Sequence, residues 1–199
     1  MHDLSDGLAR FHRDVFPAKA GLFAHLATTH RPTTLFIGCS DARVVPELIT
    51  QSEPGELFVV RTAGNLVPAY SADPDGVAAS IEYAVAVLNV SDIVVCGHSA
   101  CGAMTALAEG HDLSAAPVVS GWLRHADAAR ARAAAVPEAP GPGRAAALVR
   151  ANVSAQLQNL ATHPCVARAL AEGTLTLHGW VFDIATGAVH PVDAAAIAA

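Results

Sequence analysis

Two short apolar runs, Thr34-Leu35-Phe36-Ile37-Gly38 and Asp92-Ile93-Val94-Val95-Cys96-Gly97, each end on a glycine and show no polar–apolar alternation. A strand with one wet face alternates, whereas a continuous run suits a central parallel strand covered on both faces. Glu56-Leu57-Phe58-Val59-Val60 and the run from Leu175 to Phe182 read as two further strands. Helical spacing lies between them: Val77, Ile81, Ala84, Val85 and Leu88 fall on one face of a helix over Gly76–Leu88. Further helices are predicted over Leu8–Thr28, Ala100–Glu109, Ser120–Ala135 and Ala145–Ala171. Strands alternating with helices imply an α/β fold, a central mostly parallel sheet flanked by helices, with residues 1–30 as an N-terminal helical arm. The Pro/Gly stretch 137–143 cannot continue a helix and reads as a loop. At 199 residues the chain is expected to form a single domain, 1–199, with a core that needs no staples.

Charge narrows the partners. The net charge of −6, with no run of Lys or Arg, offers no footprint for a nucleic-acid backbone or an anionic membrane surface. Charged residues from Asp3 to Lys19 interrupt any apolar signal segment, and no stretch is long and apolar enough to span a bilayer, so a cytoplasmic location is expected. Four cysteines, Cys39, Cys96, Cys101 and Cys165, are too few for a disulfide scaffold of this length.

Two of those cysteines stand where ligands bind in an open parallel sheet, outside the carboxyl ends of the strands. Cys39 follows the glycine ending one run, and His98 and Cys101 follow the glycine ending another. A lone cysteine at a strand end is usually a small buried hydrophobe, which is the reading for Cys96 and Cys165. Together, however, one imidazole and two thiolates form a zinc-ligand set, and three protein ligands leave a fourth position open for catalysis. If the chain turns helical after His98, the three-residue spacing puts His98 and Cys101 on one face. Asp41 and Arg43 lie just past Cys39. Two thiolates cancel the metal's formal charge, so a water on it ionises less readily, and a carboxylate held ionised by Arg43 becomes a useful hydrogen-bond acceptor.

Cys39-Ser40-Asp41-Ala42-Arg43 and His98-Ser99-Ala100-Cys101-Gly102 resemble the C-S-D-x-R and H-x-x-C-G signatures of the beta-class carbonic anhydrases. The block from Pro54 to Asn65, together with Ile81-Glu82-Tyr83-Ala84-Val85 and His178-Gly179-Trp180, also matches, and the likeness extends from Leu8 to Val189. The resemblance implies zinc on Cys39, His98 and Cys101, and Asp41 and Arg43 as a catalytic dyad. It implies a carbon dioxide pocket lined by Phe58 and Tyr83, with the Gly102 backbone N–H near the substrate oxygen. In the family that pocket lies between subunits, so a homodimer or higher homo-oligomer is implied. The implied reaction is reversible hydration of carbon dioxide to bicarbonate and a proton, with zinc-bound hydroxide as nucleophile.

The chain departs from the family pattern in places. His30 stands where many members carry glutamine and is a candidate bicarbonate donor or proton shuttle. Members that switch off by binding bicarbonate at a second site carry Trp, Arg and Tyr where this chain has Phe36, Arg61 and Phe182, which favours an open site with Asp41 paired to Arg43. Alternatives on the same zinc site are hydrolysis of carbonyl sulfide or carbon disulfide, or a non-catalytic bicarbonate sensor. Gly97-His98-Ser99-Ala100-Cys101 also nearly spells a serine-hydrolase elbow, with Asp183 and His190 as conscripted partners, but that reading leaves Cys39, Asp41 and Arg43 unexplained.

Overall fold

The computed structural model describes residues 3–73, 75–135 and 143–192, which divide into two compact units, 1–31 and 32–199. The first unit is helical. Helix α1 (Leu4–Arg10) starts where the Asp3 carboxylate accepts the Ser5 N–H at 2.9 Å, and α2 covers Phe16–Leu26. A wider π turn, Phe11–Val15, joins them in place of the single regular helix predicted over Leu8–Thr28. Pro17 explains the widening: it donates no N–H and its ring crowds the carbonyl four residues back. Phe11, Phe16 and Phe23 gather their rings at centroid distances of 5.5 to 6.1 Å.

Among the described residues of the second unit, five strands form one sheet in the order β2-β1-β3-β4-β5. They are β1 (Thr34–Cys39), β2 (Leu57–Thr62), β3 (Asp92–His98), β4 (Thr176–Phe182) and β5 (Val189–Val192). The first four run parallel, and β5 pairs antiparallel with β4. The four predicted strands stand where the apolar runs place them. β5 is an addition: four residues containing Pro191 give almost no strand signal, and a proline is tolerated on such an edge.

The helices of this unit are α3 (Pro46–Thr50), α4 (Gly76–Glu82, continued by a π turn to Val87), α5 (Gly102–Glu109), α6 (Pro117–Leu123), α7 (Asp127–Ala135), α8 (Gly143–Ala161) and α9 (Pro164–Ala171). Two predicted helices are each divided. The one over Ser120–Ala135 breaks into α6, a 3-10 turn at Arg124–Ala126, and α7. The one over Ala145–Ala171 breaks at His163, because Pro164 supplies no N–H to a continuing helix and instead opens α9. Of the predicted Pro/Gly loop, residues 137–142 lie outside the described residues and Gly143 opens α8.

Both sheet faces are buried, as continuous apolar runs require. Leu35, Ile37, Ile93 and Val95 meet Val153, Leu157 and Leu160 of α8 on one face, while Phe36, Val94 and Cys96 pack with Val59 and Trp180 on the other. Glycines let α8 lie close to the strands. A Cβ at Gly97 would stand 2.9 Å from Val153 Cγ2, and one at Gly179 would stand 2.9 Å from the Val192 carbonyl oxygen and 3.0 Å from Leu157 Cδ1. Gly179→Ala is therefore expected to lower unfolding free energy by about 1–3 kcal/mol, as overpacking does. Urea denaturation checks this, and an unchanged midpoint would contradict the close contact.

Candidate metal centre

The strand order makes β1 and β3 neighbours while the chain leaves them toward opposite sides of the sheet: β1 leads on to β2, and β3 to β4. Such a switch point opens a crevice beyond the carboxyl ends of the two strands. Cys39 is the last residue of β1 and His98 the last of β3. Cys101 is the cap residue preceding α5. The predicted shared helix face between His98 and Cys101 is not what joins them. Ala100 takes a left-handed conformation with φ 53°, folding the chain back so that Cys101 returns beside His98 before any helix begins.

The two Sγ atoms and an imidazole nitrogen lie within 4.8 Å of one another, and all three residues are buried. His98 Nδ1 lies 2.9 Å from the Ser99 carbonyl oxygen. A carbonyl only accepts, so Nδ1 carries the proton and Nε2 presents its lone pair, the tautomer of a metal ligand. That Nε2 is buried without a hydrogen-bond partner among the described residues. A buried polar atom left unpaired is costly, and a cation among two thiols and this nitrogen removes the cost. The donor set and its spacing fit zinc.

The sulfurs differ before any metal arrives. A hydrogen bond from Cys101 does most to lower the Cys39 thiol, against the cost of burial, with His98 and the Asp41 and Gly64 amides helping. Cys101 is correspondingly pushed up, first by that same bond and then by burial. Of the two sulfurs Cys39 is the one that gives up its proton more readily, and a metal held there would take both as thiolates. Cys96, read as a core thiol, is fully buried with Phe36 and Val94 and is pushed up to about 12 by desolvation. Cys165 is half-buried against the core.

The dyad is assembled. Arg43 donates from Nε to Asp41 Oδ1 at 2.9 Å and from Nη2 to Oδ2 at 2.6 Å, and its backbone N–H also reaches Oδ1 at 2.9 Å. These bonds, the side-chain pair foremost, hold the Asp41 carboxyl well below the usual carboxylate range. Asp41 Oδ2 lies 3.8 Å from the unpaired His98 Nε2, so the carboxylate faces the metal position. Arg43 Nη2 also donates to the Ala100 carbonyl at 3.1 Å, tying the loop after β1 to the loop after β3.

Sequence reading assigns no structural part to two further contributors. Arg61, at the end of β2, donates to the carbonyls of Cys39 (3.0 Å), Asp41 (2.6 Å) and Val44 (2.8 Å), and so clamps the loop carrying the dyad. The Gly64 N–H reaches Cys39 Sγ at 3.4 Å. The Arg61 signal was its place in the matched block; Gly64 gives none beyond being glycine.

The remaining site candidates are dispersed. Gly102 opens α5, where first-turn N–H groups have no acceptor within the helix. Phe58 and Tyr83 meet each other, ring centroids 5.9 Å apart, and Tyr83 is 44% exposed. Phe58 pairs with Leu35 and lies four residues before Thr62, which pairs with Cys39, so its backbone is about 13 Å along the strand from this chain's own metal ligands. His30 is exposed in the N-terminal unit, after α2. Ser99 Oγ is engaged by the Ile184 N–H at 2.9 Å and by the Asp183 carboxylate, not by an imidazole among the described residues, which leaves a serine hydrolase without its base.

Comparison with known proteins agrees with this chemistry. The family model described as Carbonic anhydrase matches residues 34–189. A carbonic anhydrase of Pseudomonas aeruginosa is 60% identical over 98% of this chain and 89% of its own length, and carbonic anhydrase 1 of Escherichia coli is 56% identical over the same shares. Among solved structures, the beta-carbonic anhydrase CcaA superposes with a TM-score of 0.92 at 41% identity, covering 97% of this chain and 95% of its own. A beta-carbonic anhydrase from Coccomyxa gives 0.84 at 31% identity, with 96% and 87% covered. The chain belongs to the beta-class carbonic anhydrase family.

Proposed function

We propose that this chain catalyses the zinc-dependent, reversible hydration of carbon dioxide, CO2 + H2O ⇌ HCO3⁻ + H⁺. The observation that carries the reading is the unpaired, buried His98 Nε2, grouped with the sulfurs of Cys39 and Cys101 and 3.8 Å from an Arg43-held carboxylate. Bound by those three residues, zinc supplies the Lewis acidity that makes water nucleophilic near neutral pH. The protein's own groups do the rest. Asp41, kept ionised by Arg43, can only accept hydrogen bonds; it takes one from the reacting water and turns a lone pair toward the substrate carbon. The Gly102 N–H, at the positive end of α5, supports the oxygen that gains charge.

Phe58, distant from this chain's own ligands along β2, and Tyr83, which packs on it and is half open to solvent, line the corresponding site of a second copy, so the working unit is a homodimer or a larger assembly of homodimers. His30 donates to bicarbonate or carries the released proton. Among the described residues no helix is long and apolar enough to cross a membrane. The acidic charge balance, with no run of Lys or Arg, supports a small molecule as ligand rather than nucleic acid or an anionic lipid surface, and the proposed setting is the cytoplasm. The reaction is tested by stopped-flow hydration with metal-stripped and zinc-reconstituted protein. Turnover that follows zinc one to one supports the proposal. Stoichiometric zinc with turnover of carbonyl sulfide alone, or with no turnover, would replace it by the analogue hydrolase or the bicarbonate sensor.

A further inference from the structure

Helix α8 carries amide side chains at Asn152, Gln156 and Asn159, positions spaced to share one face. The first two are fully buried, where a helix packed on a sheet ordinarily places aliphatic groups. A buried amide with no aliphatic excuse needs an account of what it bonds. Apart from a bond from Gln156 Nε2 to the His125 carbonyl at 3.3 Å, those leaving the helix converge on the turn 62–67. Asn152 Nδ2 donates to the Gly64 carbonyl at 3.0 Å, Gln156 Oε1 accepts the Val67 N–H at 2.9 Å, and Asn159 Nδ2 donates to the Val67 carbonyl at 2.7 Å. Gln156 Nε2 donates to Asn152 Oδ1 at 2.8 Å, which locks the two buried amides to each other.

The turn they grip is a sharp one with two consecutive left-handed residues. Gly64 and Asn65 are both left-handed, with φ 75° and 49°. Asparagine is the non-glycine residue that enters this region most readily, so residues 64 and 65 suit the turn, and the amides of α8 fix where it lies. In that conformation Gly64 donates its N–H to Cys39 Sγ, while Asn152 holds the carbonyl of the same residue in the next peptide group. Apolar contacts from Val153, Leu157 and Leu160 already tie α8 to the sheet, so anchoring the helix does not require the amides.

We propose that Asn152 and Gln156 are positioning residues of the metal centre: acting through the Gly64 turn, they fix the N–H that Cys39 sulfur receives. An N–H donated to a thiolate draws charge from the sulfur and holds its orientation, which tunes both metal retention and the sulfur's bond to the metal. Partners of this kind commonly contribute 10–100-fold to metal affinity or activity. The inference rests on the zinc reading of Cys39, His98 and Cys101.

The test uses the full chain loaded with zinc or with cobalt(II) and reads two properties besides activity: zinc transfer to a competing chelator, and the thiolate-to-cobalt absorption band. Asn152→Leu, similar in volume but without the amide, is expected to weaken zinc retention about 10-fold and shift the band. Leu157→Ala, on the same helix, is expected to lower Tm while leaving the band in place and zinc retention within about two-fold of the wild type. Wild-type retention and band in Asn152→Leu, or equal changes in Leu157→Ala, would overturn the proposal. Should Asn152→Leu fail to fold, Gln156→Met carries the test: a shifted band with weakened zinc retention supports the proposal, and wild-type values for both refute it. A wild-type chain that takes up neither metal would overturn the zinc reading itself, a result distinct from a variant that binds normally.

Discussion

A Cys39→Ser chain is expected to lose bound zinc and at least about 99% of its carbon dioxide hydration while keeping its secondary structure. A serine hydroxyl stays protonated near neutral pH and is a harder, poorer zinc ligand than a thiolate. The exchange also removes the sulfur that receives the Gly64 N–H and the Cys101 hydrogen bond. It does not remove the strand: Cys39 is the terminal residue of β1, and the packing of Leu35, Phe36 and Ile37 is untouched. Cys96→Ser is the matched control. That thiol is buried and pushed up to about 12, so its loss is expected to reduce stability and leave zinc in place. Metal analysis and stopped-flow hydration on both variants check the pair of expectations, and zinc retained by Cys39→Ser would contradict them.

Arg43→Ala is expected to act the other way, keeping zinc and losing turnover. Arg43 touches none of the three ligands' donor atoms; it holds Asp41 through both carboxylate oxygens and reaches across to the Ala100 carbonyl. Without the guanidinium, the Asp41 carboxyl rises toward its ordinary value of about 3.9 and its orientation is released. The carboxylate remains ionised near neutral pH, so the loss comes from misdirected hydrogen bonding rather than from a missing charge. A fall in kcat of about 10–100-fold with zinc content unchanged is the expected result. Arg43→Lys is expected to recover little, because an ammonium cannot reproduce the two-pronged contact. Full activity in Arg43→Ala would remove Asp41 from the mechanism as argued.

β1 and β3 were legible because their burial on two faces leaves an unbroken apolar run, β2 and β4 because half-buried strands still keep mostly apolar residues, and the metal ligands because they follow the first two runs directly. β5 was not, since four residues with Pro191 among them carry neither alternation nor an apolar run. The break at His163 was marked by Pro164, but the surrounding alanine-rich periodicity spans it without interruption. The meeting of His98 with Cys101 depends on Ala100 in a left-handed conformation, which no propensity assigns to alanine. Asn152 and Gln156 read as ordinary polar helix positions; only the close approach of α8 over Gly97 and Gly179 brings them to the Gly64 turn. Phe58 and Tyr83 were singled out by resemblance alone, and the strand register then set the Phe58 backbone about 13 Å along β2 from its own chain's ligands.

The central claim is that Cys39, His98 and Cys101 hold zinc while Asp41 stays with Arg43. An anomalous-difference map at the zinc absorption edge, from crystals grown at neutral pH, tests it most directly. The account predicts one strong peak about 2.3 Å from both sulfurs and about 2.0–2.1 Å from His98 Nε2, with Asp41 still bidentate to Arg43. A peak elsewhere, or an Asp41 oxygen within bonding distance of the metal, would contradict it.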